Sequence, residues 1–182
     1  IIYNNLIMIF WIASYPKSGN TWVRALISSY YYSQDGFFSE KLIKKIGQFP
    51  EKSYFQGFDY QKNIVTDTTR YWIKAQERIN KDKKIKFFKT HNNLSSINNN
   101  NFTDKNNTIA AIYIIRDPRN LITSLKNHYE LDYNQALNFM ISDKKFIFDY
   151  REKNDYSDFQ FISSWEKNFM SWKNRKIFPV KS

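Results

Sequence analysis

Lys17, Ser18, Gly19, Asn20, Thr21 and Trp22 follow one another directly after the apolar run Leu6 to Ala13 and the short link Ser14-Tyr15-Pro16. A buried strand that breaks into a loop and then a helix is an arrangement that holds phosphate. The first N–H groups of a helix have no intrahelical partner and present partial positive charge to whatever lies ahead of them. Gly19 lets the backbone approach an oxyanion, Lys17 adds a full charge, Ser18 and Thr21 add hydroxyl donors, and Trp22 offers a flat face for a base. The nucleotide-triphosphate loop Gly-x-x-x-x-Gly-Lys-Ser/Thr puts lysine after its last glycine. Here Lys17 precedes Gly19, so that motif is absent. The plain alternative is a strand–helix turn that happens to contain these residue types.

Two further segments point the same way. Residues 110–124 read as a second buried strand ending at Arg116, with Asp117 as helix N-cap, Pro118 in the first turn and Ser124 further along the helix. Lys86 to His91 reads as a third strand that ends in Lys89 and His91. Three strands thus deliver basic or hydroxyl side chains at their C-terminal ends, the edge where open α/β sheets bind ligands.

Tyr15-Pro16-Lys17-Ser18-Gly19-Asn20-Thr21-Trp22 resembles the 5′-phosphosulfate loop of sulfotransferases that use 3′-phosphoadenosine 5′-phosphosulfate (PAPS). Arg116 and Ser124 resemble that family's 3′-phosphate motif, and Lys89-Thr90-His91 its Lys-x-His element. The tail from Ser164 to Trp172 is similar to a family segment patterned Ser-Trp-x-x-His-x-x-x-Trp. The four stand in the family's order.

The resemblance implies an α/β, P-loop-like three-layer fold with a central parallel sheet flanked by helices. It also implies a sulfuryl transfer from PAPS to a hydroxyl or amine. Lys17 would meet the leaving oxygen, with Ser18, Gly19, Asn20 and Thr21 around the 5′-phosphate. Lys89 would touch the transferring group, His91 would take the acceptor proton, Arg116 and Ser124 would hold the 3′-phosphate, and Trp22 would stack on adenine. Such a site needs no metal. Asn20 and Asn168 depart from the commoner Thr and His of the pattern, and Ile162 falls where some members carry an adenine-touching tyrosine.

The family's following strand and basic C-terminal loop have no counterpart in residues 1–182. The chain is therefore expected to be one domain, 1–182, incomplete at its C-terminus, and weakly active or inactive as given. Residues 1–7 are expected to lie upstream of a natural start at Met8, and a homodimer is an expectation for the full-length protein only.

Composition bounds the alternatives. A chain of 182 residues that is 42% hydrophobic can bury a core. The net charge of +11 suggests an anionic partner, but the excess is largely lysine alongside abundant asparagine and isoleucine, a bias expected of an AT-rich genome. A nucleic-acid binder is one rival reading, and it predicts steeply salt-dependent binding. A Mg²⁺-dependent P-loop phosphotransferase is the other, and it needs a carboxylate near the loop. The favoured partners are PAPS and a small-molecule or glycan acceptor, with neither nucleic acid nor membrane. The absence of cysteine permits a cytoplasmic setting, and the resemblance is to bacterial-type members of the family.

These residues need elements to position them. A helix is expected from about Asn20 to Tyr32, burying Val23, Leu26, Ile27 and Tyr30. Residues 33–63 are either a substrate-facing lid or peripheral packing. Thr66 or Asp67 is expected to cap a helix to about Asn80, and Asp132 one through Met140. Residues 92–107 are expected to be a loop, 143–158 a mobile loop, 159–174 a last helix, and 177–180 the start of a strand. Arg119 and Lys126 read as solvated charges, His128 as a surface or pocket-rim residue, and Trp165 and Trp172 as core.

Overall fold

The apolar start of the chain becomes the centre of a sheet. In a computed structural model that describes residues 8–149 and 154–173, β1 (Ile9–Ser14) is followed by α1 (Asn20–Tyr32), α2 (Glu40–Ile43) and β2 (Gly47–Gln48). Two 3-10 turns, Lys52–Phe55 and Asp67–Tyr71, lead into α3 (Trp72–Asn80) and then β3 (Lys86–Thr90). A hairpin of β4 (Ser96–Ile97) and β5 (Asn100–Asn101) precedes β6 (Thr108–Ile114). The remainder is α4 (Pro118–Tyr129), α5 (Tyr133–Ile141), β7 (Phe146–Ile147), β8 (Gln160–Phe161) and α6 (Trp165–Lys173). The sequence segments 1–7 and 177–180, on which expectations were placed, lie outside the described residues.

The main sheet has the order β2-β3-β1-β6, and every neighbouring pair is parallel. The fold is the expected α/β arrangement of a central parallel sheet flanked by helices. A strand covered on both faces reads as a continuous apolar run rather than an alternating one, and β1 is buried almost throughout. Ile9, Trp11 and Ala13 point to one face, where they meet Phe88, Trp72 of α3, Phe102 and Trp172 of α6. Trp11 Nε1–H donates to Thr108 Oγ1 at 2.8 Å, so its polar atom is satisfied within that core. On the opposite face Phe10 packs on Phe87, which in turn meets Tyr31 and Tyr32 of α1. A second core of Tyr15, Leu121, Leu125, Ala136, Phe139, Met140 and Ile162 joins α4 and α5 to the end of β1.

The helix α1 spans the expected residues but in a different rotation. Leu26 and Tyr30 are exposed, whereas Asn20, Ser28 and Ser29 are buried. The inward face carries polar groups bonded locally or to neighbouring carbonyls, such as Arg24 Nη2, which donates to Ile43 O and Ile46 O. An apolar periodicity cannot show a buried stripe built of polar residues.

Three other boundaries differ from expectation. Asp67 does not cap α3: it accepts from Gln61 N–H and Arg70, and a 3-10 turn intervenes. The asparagine run is a two-residue hairpin turn, with Asn98 and Asn99 at φ 50° and 63°, the left-handed values such turns require. The last helix starts at Trp165, because Gln160 and Phe161 pair instead with Phe146 and Ile147. Asp132 does cap its helix, through a full capping box with Gln135.

Candidate functional site

The loop after β1 is held open by its backbone. Lys17 and Gly19 both adopt left-handed conformations, with φ 67° and 102°, and the carbonyl of Lys17 accepts from Arg116 Nη1 at 2.9 Å. Non-glycine residues enter this region only when their surroundings hold them there, and the Arg116 contact supplies part of that hold. No side chain caps α1, so the amides at its start keep their donor capacity. Among the described residues, apart from its immediate neighbours in the chain, nothing lies within 4 Å of where a Cβ on Gly19 would be, so the loop is open on that side. Ser18 is buried, and its Oγ has no hydrogen-bond partner among the described residues.

His91 is clamped on three sides. Ala13 pairs with Thr90 in register, so Ser14 and His91 follow as neighbours at the ends of adjacent strands. The His91 N–H donates to Gln160 Oε1 at 2.9 Å, and the His91 carbonyl accepts from Asn168 Nδ2 at 3.0 Å. Its Nδ1 lies 2.7 Å from the Ser14 carbonyl oxygen and 3.1 Å from Ser14 Oγ. A carbonyl oxygen only accepts, so Nδ1 carries the hydrogen and Nε2 is the basic nitrogen. Asn20 Nδ2 in turn donates to Ser14 Oγ at 3.1 Å and to Ile12 O at 3.0 Å.

The electrostatics of the cluster are those of cations crowded together out of water. Burial, followed by the charges of Lys89, Arg24 and Lys17, pushes His91 down to about 3, although its bond to Ser14 works the other way. Burial, then Arg24 and Lys17, lowers Lys89 to about 8, and its Nζ donates to Gln48 Oε1 at 3.1 Å. A group of this kind attracts an anion strongly, because a negative ligand relieves every one of those repulsions.

Two cavities meet at this cluster, and Lys17, Lys89, His91 and His128 line both. One, of about 390 Å³, continues along Gly19, Asn20, Thr21, Trp22, Arg116 and Ser124. Trp22 is 78% exposed there, with its indole open to solvent. The other, of about 490 Å³, is walled by Tyr129, Phe139, Phe146 and Phe148, with Gln48 and Asp158 among its polar groups.

The fold therefore brings Lys17, Gly19, Asn20, Thr21, Trp22, Lys89, His91, Arg116 and Ser124 to one cleft, while Ser18 lines neither cavity and is buried beside them in the loop. Asn20 differs from the rest, since its side chain turns into the strand and leaves only its backbone N–H for the cradle. Sequence reasoning passed over Ser14, Arg24, Gln48 and Gln160, and it placed His128 only at a rim. Asn168 was noticed as a departure and turns out to be fully buried, bonded to His91, Ile162 and Tyr113. Among the described residues, no group of three His, Asp or Glu side chains is placed to hold a metal ion. No helix among them is long and apolar enough to cross a membrane.

A family model described as the sulfotransferase domain matches residues 9–178. No curated protein matches the chain.

Proposed function

The chain belongs to the sulfotransferase domain family, and on that premise we propose that it moves a sulfuryl group from PAPS to a hydroxyl or amine of a small-molecule or glycan acceptor. The observation that carries this reading is the pairing of a base and two lysines at the junction of two cavities. The residues fit the donor. Ser18 Oγ is buried without a partner among the described residues, the start of α1 has no side-chain cap, and the space beside Gly19 is open. When bound, PAPS supplies the sulfuryl group and a phosphate that departs with the bonding electron pair.

The rest follows from the chain's own groups. The amides of Gly19, Asn20 and Thr21 and the hydroxyls of Ser18 and Thr21 surround the 5′-phosphate. Lys17 stabilises charge on the departing oxygen, and Lys89 the charge on the transferring oxygens. Arg116 turns its remaining guanidinium hydrogens to the 3′-phosphate, with Ser124 beside it. Trp22 stacks on adenine. Nε2 of His91 receives the proton that the acceptor gives up as its new bond to sulfur forms, and the Nδ1–H···O=C bond to Ser14 holds the resulting imidazolium. Donor binding also strengthens this base, since negative charge offsets the three cations that depress it.

The donor-side cavity presents cations and hydroxyls and, among the described residues, is lined by no carboxylate, which favours this reading over a Mg²⁺-dependent phosphotransferase. Calorimetric titration with 3′-phosphoadenosine 5′-phosphate (PAP), ATP with Mg²⁺, and duplex DNA tests it. PAP is expected to bind most tightly. Tighter binding of ATP, or DNA binding that collapses steeply with salt while PAP fails to bind, would overturn it. A screen of acceptors with radiolabelled PAPS then identifies what is sulfated.

A further inference from the structure

Asn20 stands at the phosphate cradle by position, yet its carboxamide points to the sheet. The Ile12 carbonyl 3.0 Å away can only accept, which fixes the NH2 end of the carboxamide there. The same Nδ2 reaches Ser14 Oγ at 3.1 Å. A hydroxyl has one hydrogen and two acceptor positions. With Asn20 donating into one of them, Ser14 Oγ offers the other to His91 Nδ1 at 3.1 Å. Nδ1 then faces two acceptors from a single residue, that hydroxyl oxygen and the carbonyl at 2.7 Å. Both favour a hydrogen on Nδ1.

We propose that Asn20 is a positioning residue for His91: acting through the Ser14 hydroxyl, it reinforces the Nδ1–H tautomer that the Ser14 carbonyl favours and keeps the Nε2 lone pair available to the acceptor. Without the Asn20 NH2 group, the Ser14 hydroxyl loses the donor that holds one of its acceptor positions and turns more readily to donate its hydrogen to Nδ1, in competition with the carbonyl that favours Nδ1–H. That stabilises the opposite tautomer, in which Nε2 carries the hydrogen and can accept none. The Asn20 Oδ1 is buried with no partner among the described residues, so the two Nδ2 contacts alone set the orientation of the carboxamide. Asn20 is also the first residue of α1, so the linkage joins the donor cradle to the base. The proposal rests on reading His91 as the base, but its test does not require turnover.

The chain has two histidines, so ¹⁵N-histidine labelling gives a spectrum of two rings, assigned with a His128→Asn variant. Long-range ¹H–¹⁵N correlations at neutral pH report which nitrogen of His91 carries the hydrogen. The unaltered protein is expected to show the Nδ1–H form. Asn20→Leu and Ser14→Ala should each shift the tautomer ratio about tenfold toward Nε2–H, the scale of one hydrogen bond, and the double variant should shift it little further. A His91 that keeps its original ratio in Asn20→Leu overturns the proposal, whatever Ser14→Ala does. Should Asn20→Leu fail to fold, Asn20→Ala decides, since it also removes the NH2 group while leaving the Ser14 hydroxyl and carbonyl in place. A shifted tautomer with unchanged PAPS turnover would instead remove His91 from the chemistry and leave the linkage standing.

Discussion

Arg116 Nη1 donates to the carbonyl oxygen of Lys17 at 2.9 Å, so a single guanidinium joins the end of one strand to the strained loop that leaves another. The planar fork has five N–H donors and this contact uses one, which leaves the others for a ligand phosphate. Arg116→Ala should weaken PAP binding about ten- to a hundredfold, the scale of a lost charge-assisted contact of roughly 1.5–3 kcal/mol. Arg116→Lys keeps the charge without the fork and should fall in between. Calorimetry with PAP and with adenosine 5′-phosphate checks this, the monophosphate being the less affected of the two.

Removing the base should separate chemistry from binding. His91→Ala is expected to lower kcat by about 10²–10⁴ while PAP affinity changes little. Labelled-PAPS assays beside PAP calorimetry measure both. Normal turnover would take His91 out of the mechanism.

Acid should weaken the fold through the same residue. His91 titrates near 3 when folded, below the ordinary histidine value of about 6.5 that it regains on unfolding. Between those values the unfolded chain binds the extra proton, so stability is full above about pH 6.5 and is lost as pH falls toward 3. Melting temperatures between about pH 6.5 and 5, above the range where ordinary carboxylates titrate, should decline in the native chain and stay flatter in His91→Gln.

Alkali should act on turnover through Lys89. On the proposed mechanism its ammonium stabilises the transferring oxygens, and burial beside Arg24 and Lys17 lowers it to about 8 in the free protein. The value of kcat/KM should therefore fall as pH rises through about 8. The alkaline limb of kcat should lie higher, because bound anionic donor favours the charged lysine. Lys89→Arg should move the limb of kcat/KM upward, and an unmoved limb would assign it to another group.

Trp22→Ala tests the adenine platform. The indole is 78% exposed, so its loss should leave thermal stability nearly unchanged. PAP affinity should drop by about 1–3 kcal/mol, the range found when a base loses its aromatic stacking partner. Equal binding by both forms in calorimetry would place adenine elsewhere.

Much of this site was legible because its residues sit where local sequence rules are strongest. A buried parallel strand reads as an apolar run, a loop with glycine marks its end, and Asp117-Pro118 marks a helix start, so Lys17, Arg116 and Ser124 could be placed from nearby residues alone. The supports of His91 could not. Gln160 and Asn168 reach it from 69 and 77 positions away, and Gln48 reaches Lys89 from 41. Nothing local in a glutamine reveals such a partner. The misplaced rotation of α1 has the related cause that its inward face serves the site with Asn20 and Arg24 rather than with apolar side chains.

The central place of β1 has a consequence for how the chain is made. β1 precedes both of its sheet neighbours, and its bond from Trp11 to Thr108 spans 97 positions. During synthesis this largely buried, apolar strand emerges before both of its partners and waits for β3 on one side and β6 on the other. Contacts so distant along the chain compensate the entropy of closing the intervening loops only once both ends are present. The nascent chain therefore passes through a stage with an unpaired, hydrophobic strand exposed, the kind of segment that invites aggregation or chaperone capture. The same long spans mean that Ser14, His91 and Arg116 come together only when the sheet does.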